Sequence, residues 1–289
     1  MAVTKLPSNP THAADQAHDT HTTSMIAEFI HYLGTRTNPG ARRLGYAGEA
    51  AALEARHRRC REAWLPHLAA TRAALLRAAE LAHPNSGDAL LVGGGSVHDL
   101  PLAELMDRFD RIVLLDIAFG VEARRLAKRW PKRLRLCRHD VTGIVDWLAK
   151  HRSLPPAELL SRPVLPQLDI PPGWVASVNC LTQLPLLPLN YLAGRIVDES
   201  VLDAFGRALV QGHLHWLQAW RVPICLVTEV EDRQFDRDGV LTSGTDYRAL
   251  LQGFTTDAAR IGRWPWLIHP PGELADGRHE SRIVEAWCL

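Results

Sequence analysis

The sequence has no uninterrupted apolar run long enough to cross a bilayer and no apolar segment of the secretory kind near its start, so neither membrane insertion nor export is indicated. It has no excess of charge of either sign. Lys plus Arg total 33 against 32 for Asp plus Glu, a formal net charge of +1, which leaves no basic field to steer the chain onto nucleic acid or an anionic membrane. Cysteine is sparse and irregular. Cys60, Cys137, Cys180, Cys225 and Cys288 form no C-x-x-C pair and mostly sit in apolar runs such as VASVNCL and VPICLV. That argues against a disulfide framework and against a zinc or iron–sulfur site, and suggests reduced core thiols in a cytoplasmic protein. No metal is expected.

What is present suffices for one large core. The chain has 289 residues, 46% of them hydrophobic and 22% charged. Residues 1–24 are polar, with histidines at no metal-ligand spacing, and are expected to be a disordered leader. Residues 25–84 form a helical N-terminal element, a lid or substrate-side cap. It comprises a short helix over 24–36, turn residues in NPGARRLGYAG, and one Ala-, Leu- and Arg-rich stretch from Glu49 to His83 with apolar positions at helical spacing.

From residue 85 to 289 short apolar runs alternate with helical segments. The runs are ALLVGG (89–94), RIVLLDI (111–117), RLRLCRHD (133–140), WVASVNCL (174–181) and VPICLVTEV (222–230). This alternation predicts an α/β, doubly wound, mostly parallel sheet covered on both faces. RWPWLIHP (263–270) and SRIVEAWCL (281–289) are joined by too short a segment for a crossover helix, so they should pair as an antiparallel hairpin and bring the sheet to seven strands.

In such a sheet a ligand sits beyond the carboxyl ends of the strands. Gly93, Gly94, Gly95 and Ser96 follow the first run, Asp116 the second and Asp140 the third. A carboxylate after the second strand suits two ribose hydroxyls, and one after the third an adenine amino group, so together they make an adenosine site. A dinucleotide fingerprint would need glycine at position 98, where the chain has His98, and no Lys-Ser or Lys-Thr follows the glycines to make a P-loop.

At these residues the chain resembles the class I S-adenosylmethionine-dependent methyltransferases over roughly residues 85–289: the loop VGGGS, the acids in VLLDI and RHDV, the fourth strand VASVNCL and the terminal hairpin. It departs from them at Leu91, where an acid is usual, at Val97, where a third alternate glycine is frequent, and in VNCLTQLPLLP, which lacks the N/D-P-P-Y/F signature of enzymes acting on nucleic-acid bases and protein glutamine. The resemblance implies a Rossmann-like fold, S-adenosylmethionine as cofactor, and cofactor contacts from Gly93, Gly94, Gly95, Ser96, Asp116, Ile117, Asp140, Val141 and Asn179. It implies methyl transfer to an N, O or S nucleophile of a small molecule. Aminopropyl or aminocarboxypropyl transfer stays open, because a triple-glycine loop also resembles polyamine synthases, as does a non-catalytic scaffold and a homo-oligomeric state.

Tyr46, Asn179, Gln183 and Glu229 are the substrate-side candidates, with Phe29, Tyr32, Trp64 and the Leu/Pro-rich segment 181–192 near them. Asp99, two residues before Pro101, is expected to cap the next helix. Asp140 has an alternative as an Asx turn before VTG. His213 and His215 are two apart on a helix and point to different faces, and the acids of TEVEDRQFDRD (228–238) are expected in a solvated loop.

Overall fold

The structure, a computed structural model, describes residues 32–81, 87–161, 164–196 and 198–289. The expected leader, most of the helix expected over 24–36, and Phe29 lie outside the described residues. By Arg36 the chain is already extended: β1 (Arg36–Thr37) pairs antiparallel with β4 (Ala118–Phe119), and Thr37 Oγ1 donates to the Ile117 carbonyl at 2.8 Å. Next comes α1 (Pro39–Leu44), started by the Asn38 side chain, which accepts from the Ala41 N–H, and by Pro39 at its first turn. The stretch expected to be helical is two helices, α2 (Tyr46–Arg59) and α3 (Arg61–Leu81), separated at Cys60.

The remaining elements alternate as the apolar runs suggest: β2 (Asp88–Val92), α4 (Leu102–Met106), β3 (Ile112–Asp116), α5 (Val121–Arg129), β5 (Leu134–Arg138), α6 (Val145–His151), α7 (Ala157–Ser161) and β6 (Pro172–Val178). Then follow α8 (Leu186–Leu192), α9 (Glu199–Gln218), β7 (Ile224–Phe235), β8 (Leu241–Asp246), β9 (Arg260–His269) and β10 (His279–Cys288).

The sheet runs β5-β3-β2-β6-β7-β10-β9, with β8 paired to the outer half of β7. β5, β3, β2, β6 and β7 are parallel, and β10 lies antiparallel between β7 and β9. The expected hairpin is therefore present, inserted so that its second strand is interior. The count is eight rather than seven. The acidic run expected as a loop continues β7 to Phe235, because its carboxylates find arginines beyond the strand: Glu231 lies 3.8 Å from Arg263 on β9 and 3.6 Å from Arg248 in the turn after β8. Charge paired across strands is compatible with a sheet where isolated charge is not.

Each central strand reads as an unbroken apolar run but feeds two layers, since successive side chains point to opposite faces. Leu91, Leu114 and Trp174 pack with Trp64, Leu68 and Leu75 of α3, whereas Leu90, Leu115 and Val175 pack with Val210, Leu214 and Leu217 of α9. The N-terminal helices thus divide their work. α3 covers the sheet against β7, β9 and β10, while α2 lies at the strand ends. Among the described residues no helix is long and apolar enough to cross a membrane.

Candidate functional site

β2, β3 and β6 all end at one cavity of about 230 Å³, walled on the far side by α2 and the start of α3. Where β2 stops, Gly93 turns with φ 87°, and a Cβ there would lie 2.4 Å from the Val178 carbonyl oxygen. At Gly95 a Cβ would lie 2.4 Å from the Ala118 carbonyl oxygen and 2.8 Å from Asp116 Oδ2. Only glycine lets the loop nest this closely between β3 and β6.

Of the residues expected here, Gly93, Gly95, Ser96, Asp116 and Ile117 border the cavity, as do Tyr46, Asn179 and Gln183. Gly94 packs backward against Leu114 and does not border it. Asp140 is also absent from the wall. Its carboxylate accepts from the Thr142 N–H and the Val145 N–H, both at 2.9 Å, so it closes its own turn ahead of α6 and the Asx-turn alternative describes it. Val141 packs beneath it with the interior cluster on the α9 face.

Glu229 does not reach the cavity either. It is buried, accepting from Thr182 Oγ1 at 2.6 Å and from Arg282 Nη1 at 2.8 Å, so its charge is consumed inside the protein. His213 is likewise interior, bonded to Ser177 Oγ at 2.9 Å, and burial lowers its pKa to about 3.

Asp116 accepts from the Gly95 N–H at 2.9 Å and from the Ala118 N–H at 3.1 Å. Burial dominates its titration and pushes the carboxyl up to about 6, although the backbone donors of Ala118, Gly95 and Ile117 pull the other way. Tyr46 is raised well above its ordinary value by burial and then by the charges of Asp140 and Asp116.

The largest departure from expectation is Asp99. It does not cap α4, whose N-cap position is Pro101 without a side-chain bond. Instead it turns into the cavity and accepts from Asn179 Nδ2 at 2.8 Å. Burial raises its pKa. Asn179 sits at φ 49°, a left-handed geometry that asparagine tolerates better than most residues, and its carbonyl is held by Gln183 Nε2 at 2.9 Å. Asp99 Oδ1 and Asn179 Oδ1 are both buried and have no hydrogen-bond partner. Two acceptor oxygens without donors in a cavity wall call for a ligand that brings N–H or O–H groups.

Behind them, His67 Nε2 lies 3.3 Å from the Asn179 amide nitrogen, and Trp264 Nε1 donates to His67 Nδ1 at 3.0 Å. The His67 ring stacks on Trp266 at 4.1 Å, and burial, aided by Arg282, lowers its pKa to about 3, which keeps it neutral. On the α2 side, Glu54 Oε2 meets His98 Nε2 at 2.7 Å and the rings of His57 and His98 stack at 3.7 Å. Asp99, His67, Glu54 and His98 all line the cavity; from the sequence Asp99, which borders the loop, reads as a cap rather than a catalytic group, His98 is ambiguous in the same way, and His67 and Glu54 are not singled out. The spacing Glu54-x-x-His57 on a helix was the one local signal available.

No family model matches the chain, and no curated protein is similar to it. Solved structures are. A 1,6-didemethyltoxoflavin N1-methyltransferase of Burkholderia thailandensis, with bound 1,6-didemethyltoxoflavin and S-adenosylhomocysteine, is 14% identical over 96% of this chain and 93% of that one, with a TM-score of 0.37. A Streptococcus pneumoniae protein proposed as a tRNA (m1A22) methyltransferase is 11% identical over 74% and 69%, at 0.29. An amino pentose methyltransferase of Micromonospora echinaspora, involved in calicheamicin biosynthesis, is 13% identical over 76% and 91%, at 0.27. Likeness this distant assigns no role to any residue.

Proposed function

We propose that this chain binds S-adenosylmethionine at the ends of β2, β3 and β6 and transfers its methyl group to an N, O or S nucleophile of a small molecule. The observation that carries this reading is the pair of unpartnered buried oxygens, Asp99 Oδ1 and Asn179 Oδ1, in the same wall as the glycine loop and Asp116. The cofactor brings donors for each: ribose hydroxyls for Asp116, and an ammonium for Asp99 and Asn179. Leu91, where the resembling family usually carries an acid, is fully buried in the sheet, so an acid from the loop stands in for it. When bound, the cofactor supplies an electrophilic methyl on sulfur.

The chain's own residues hold the reactants and keep water away. Gly93 and Gly95, lacking side chains, let the ligand approach the loop backbone closely. Leu53, Leu187 and Trp266 add apolar surface to the wall, and with no net basic field this suits a small, partly apolar acceptor rather than a polymer. In this reading residues 85–289 form the catalytic domain, and of the helical element before it α2 closes the acceptor side. Much of the rate then comes from alignment, worth roughly 7–11 kcal/mol in intramolecular models.

Titration calorimetry with S-adenosylhomocysteine tests the proposal. One ligand per chain is expected, and Asp99→Ala should weaken it by roughly 10–150-fold, the worth of a hydrogen bond to a charged group. Absence of binding to the unaltered chain would sink the reading. With an acceptor in hand, a product heavier by one CH₂ separates methyl from aminopropyl or aminocarboxypropyl transfer.

The pH dependence has a definite sign. Below about 6 the free protein carries Asp116 protonated, and binding through an ionised carboxylate must then release that proton. The dissociation constant should therefore rise as pH falls below about 6, by up to about tenfold per unit, and stay flat above it. A flat profile from pH 4 to 8 would remove Asp116 from the ribose role.

A further inference from the structure

Glu54, His57 and His98 each offer one ligand atom, and all three atoms lie within 4.8 Å of one another. Glu54 and His57 are three residues apart on α2, so they project from one face of the helix, and His98 reaches them from the loop after β2. A Glu-x-x-His pair on a helix recurs in carboxylate metal centres. The position of His98 is fixed independently: its carbonyl accepts from Arg72 Nη2, and its ring stacks on His57. Glu122 is close enough to feel the charges of both Glu54 and His98, which places a second carboxylate behind the trio. Arg61 and Arg72 are within electrostatic range of His57.

We propose that Glu54, His57 and His98 hold a divalent transition metal of the zinc and iron(II) class in the wall of the cavity. Two imidazoles and one carboxylate match the donor preference of such ions and are too few to close the coordination sphere. The open positions face the cavity that Glu54 and His98 line, so the ion is placed to take an oxygen or nitrogen donor of the acceptor. The hydrogen bond of 2.7 Å between His98 Nε2 and Glu54 Oε2 then marks where the metal displaces a proton. Metal uptake needs no cofactor, so this inference and the cofactor reading can fail separately.

The test uses the full chain, freed of metal by dialysis against a chelator and then titrated with Zn²⁺ against a chromophoric competitor, without cofactor. One Zn²⁺ per chain is expected. His57→Ala and His98→Ala should each weaken it by more than the roughly 10–100-fold that outer-shell partners are worth, and Glu54→Gln should weaken it measurably. The exposed His215→Ala should change nothing. His57 does not border the cavity, so its alanine variant should keep the far-ultraviolet circular dichroism and cooperative thermal unfolding of the unaltered chain, which shows that it is folded. Co²⁺ in place of Zn²⁺ should give visible d–d bands that shift when acetohydroxamate is added. No uptake by the unaltered chain, or uptake indifferent to His57 and His98, as histidines of the first 24 residues would give, overturns the site; bands that ignore acetohydroxamate overturn the open position.

Discussion

Glu229→Ala is expected to lower unfolding free energy by about 3–5 kcal/mol, the usual cost of breaking a buried ion pair from one side. The carboxylate is 1% exposed and spends both oxygens internally, one on Arg282 and one on Thr182. Without it, the Arg282 guanidinium keeps Asp232, at 4.0 Å, the more distant charge of Glu280 and a place over the Trp266 ring. The loss comes from the orphaned cation and not from the pair's net worth, so Glu229→Ala with Arg282→Met should recover much of it. Urea unfolding measures both. A single variant within 1 kcal/mol of the parent, or a double variant no better than the single, would show that the pair does not hold this part of the sheet.

Asp116→Ala is expected to act with opposite signs on binding and stability. Affinity for S-adenosylhomocysteine should fall by roughly 1.5–3 kcal/mol as a charged acceptor is lost. Stability should change differently with pH. The folded-state value of about 6 lies above the ordinary 3.8, so the unaltered chain is favoured while Asp116 is neutral and loses stability as pH rises through 6. Alanine has nothing to ionise. Relative to the parent, the variant should therefore gain up to about 3 kcal/mol between pH 4 and pH 8, read by thermal unfolding at both. Equal pH slopes would show that Asp116 titrates in the folded state much as it does in the unfolded chain.

The parallel strands and the glycine loop were legible because their signals are local: an apolar run of strand length, then glycine. The terminal hairpin was legible from the shortness of its connection. What escaped was completed by partners far along the chain. Asp99 obeys the local rule for a helix cap, and only Asn179, brought in from the end of β6, turns it toward the cavity. Glu54 and His57 are an ordinary helical pair until His98 joins them. The acidic run of β7 resembles a loop because the arginines that pair with it lie far along the chain, Arg263 on β9 and Arg248 in the turn that follows β8. Glu229 was placed by counting from the strand end, which locates a residue along a strand but does not reveal that Arg282 across the sheet already holds it.

The strand order has a consequence for how the molecule assembles. β9 is made before β10 yet finds its place in the sheet only through β10, which must enter between it and β7. While the chain is being synthesised, two ladders of backbone donors and acceptors, one on β7 and one on β9, wait for the same incoming segment. The β9–β10 pairing is local, but that of β10 with β7 joins residues as far apart as Cys225 and Cys288 and is slower to form, and unfilled edges are where growing chains associate with one another. The interval between completion of β9 and docking of β10 on β7 is thus one in which an edge of the sheet stands unpaired. Supplying residues 279–288 as a separate peptide to chains that lack them should shorten it.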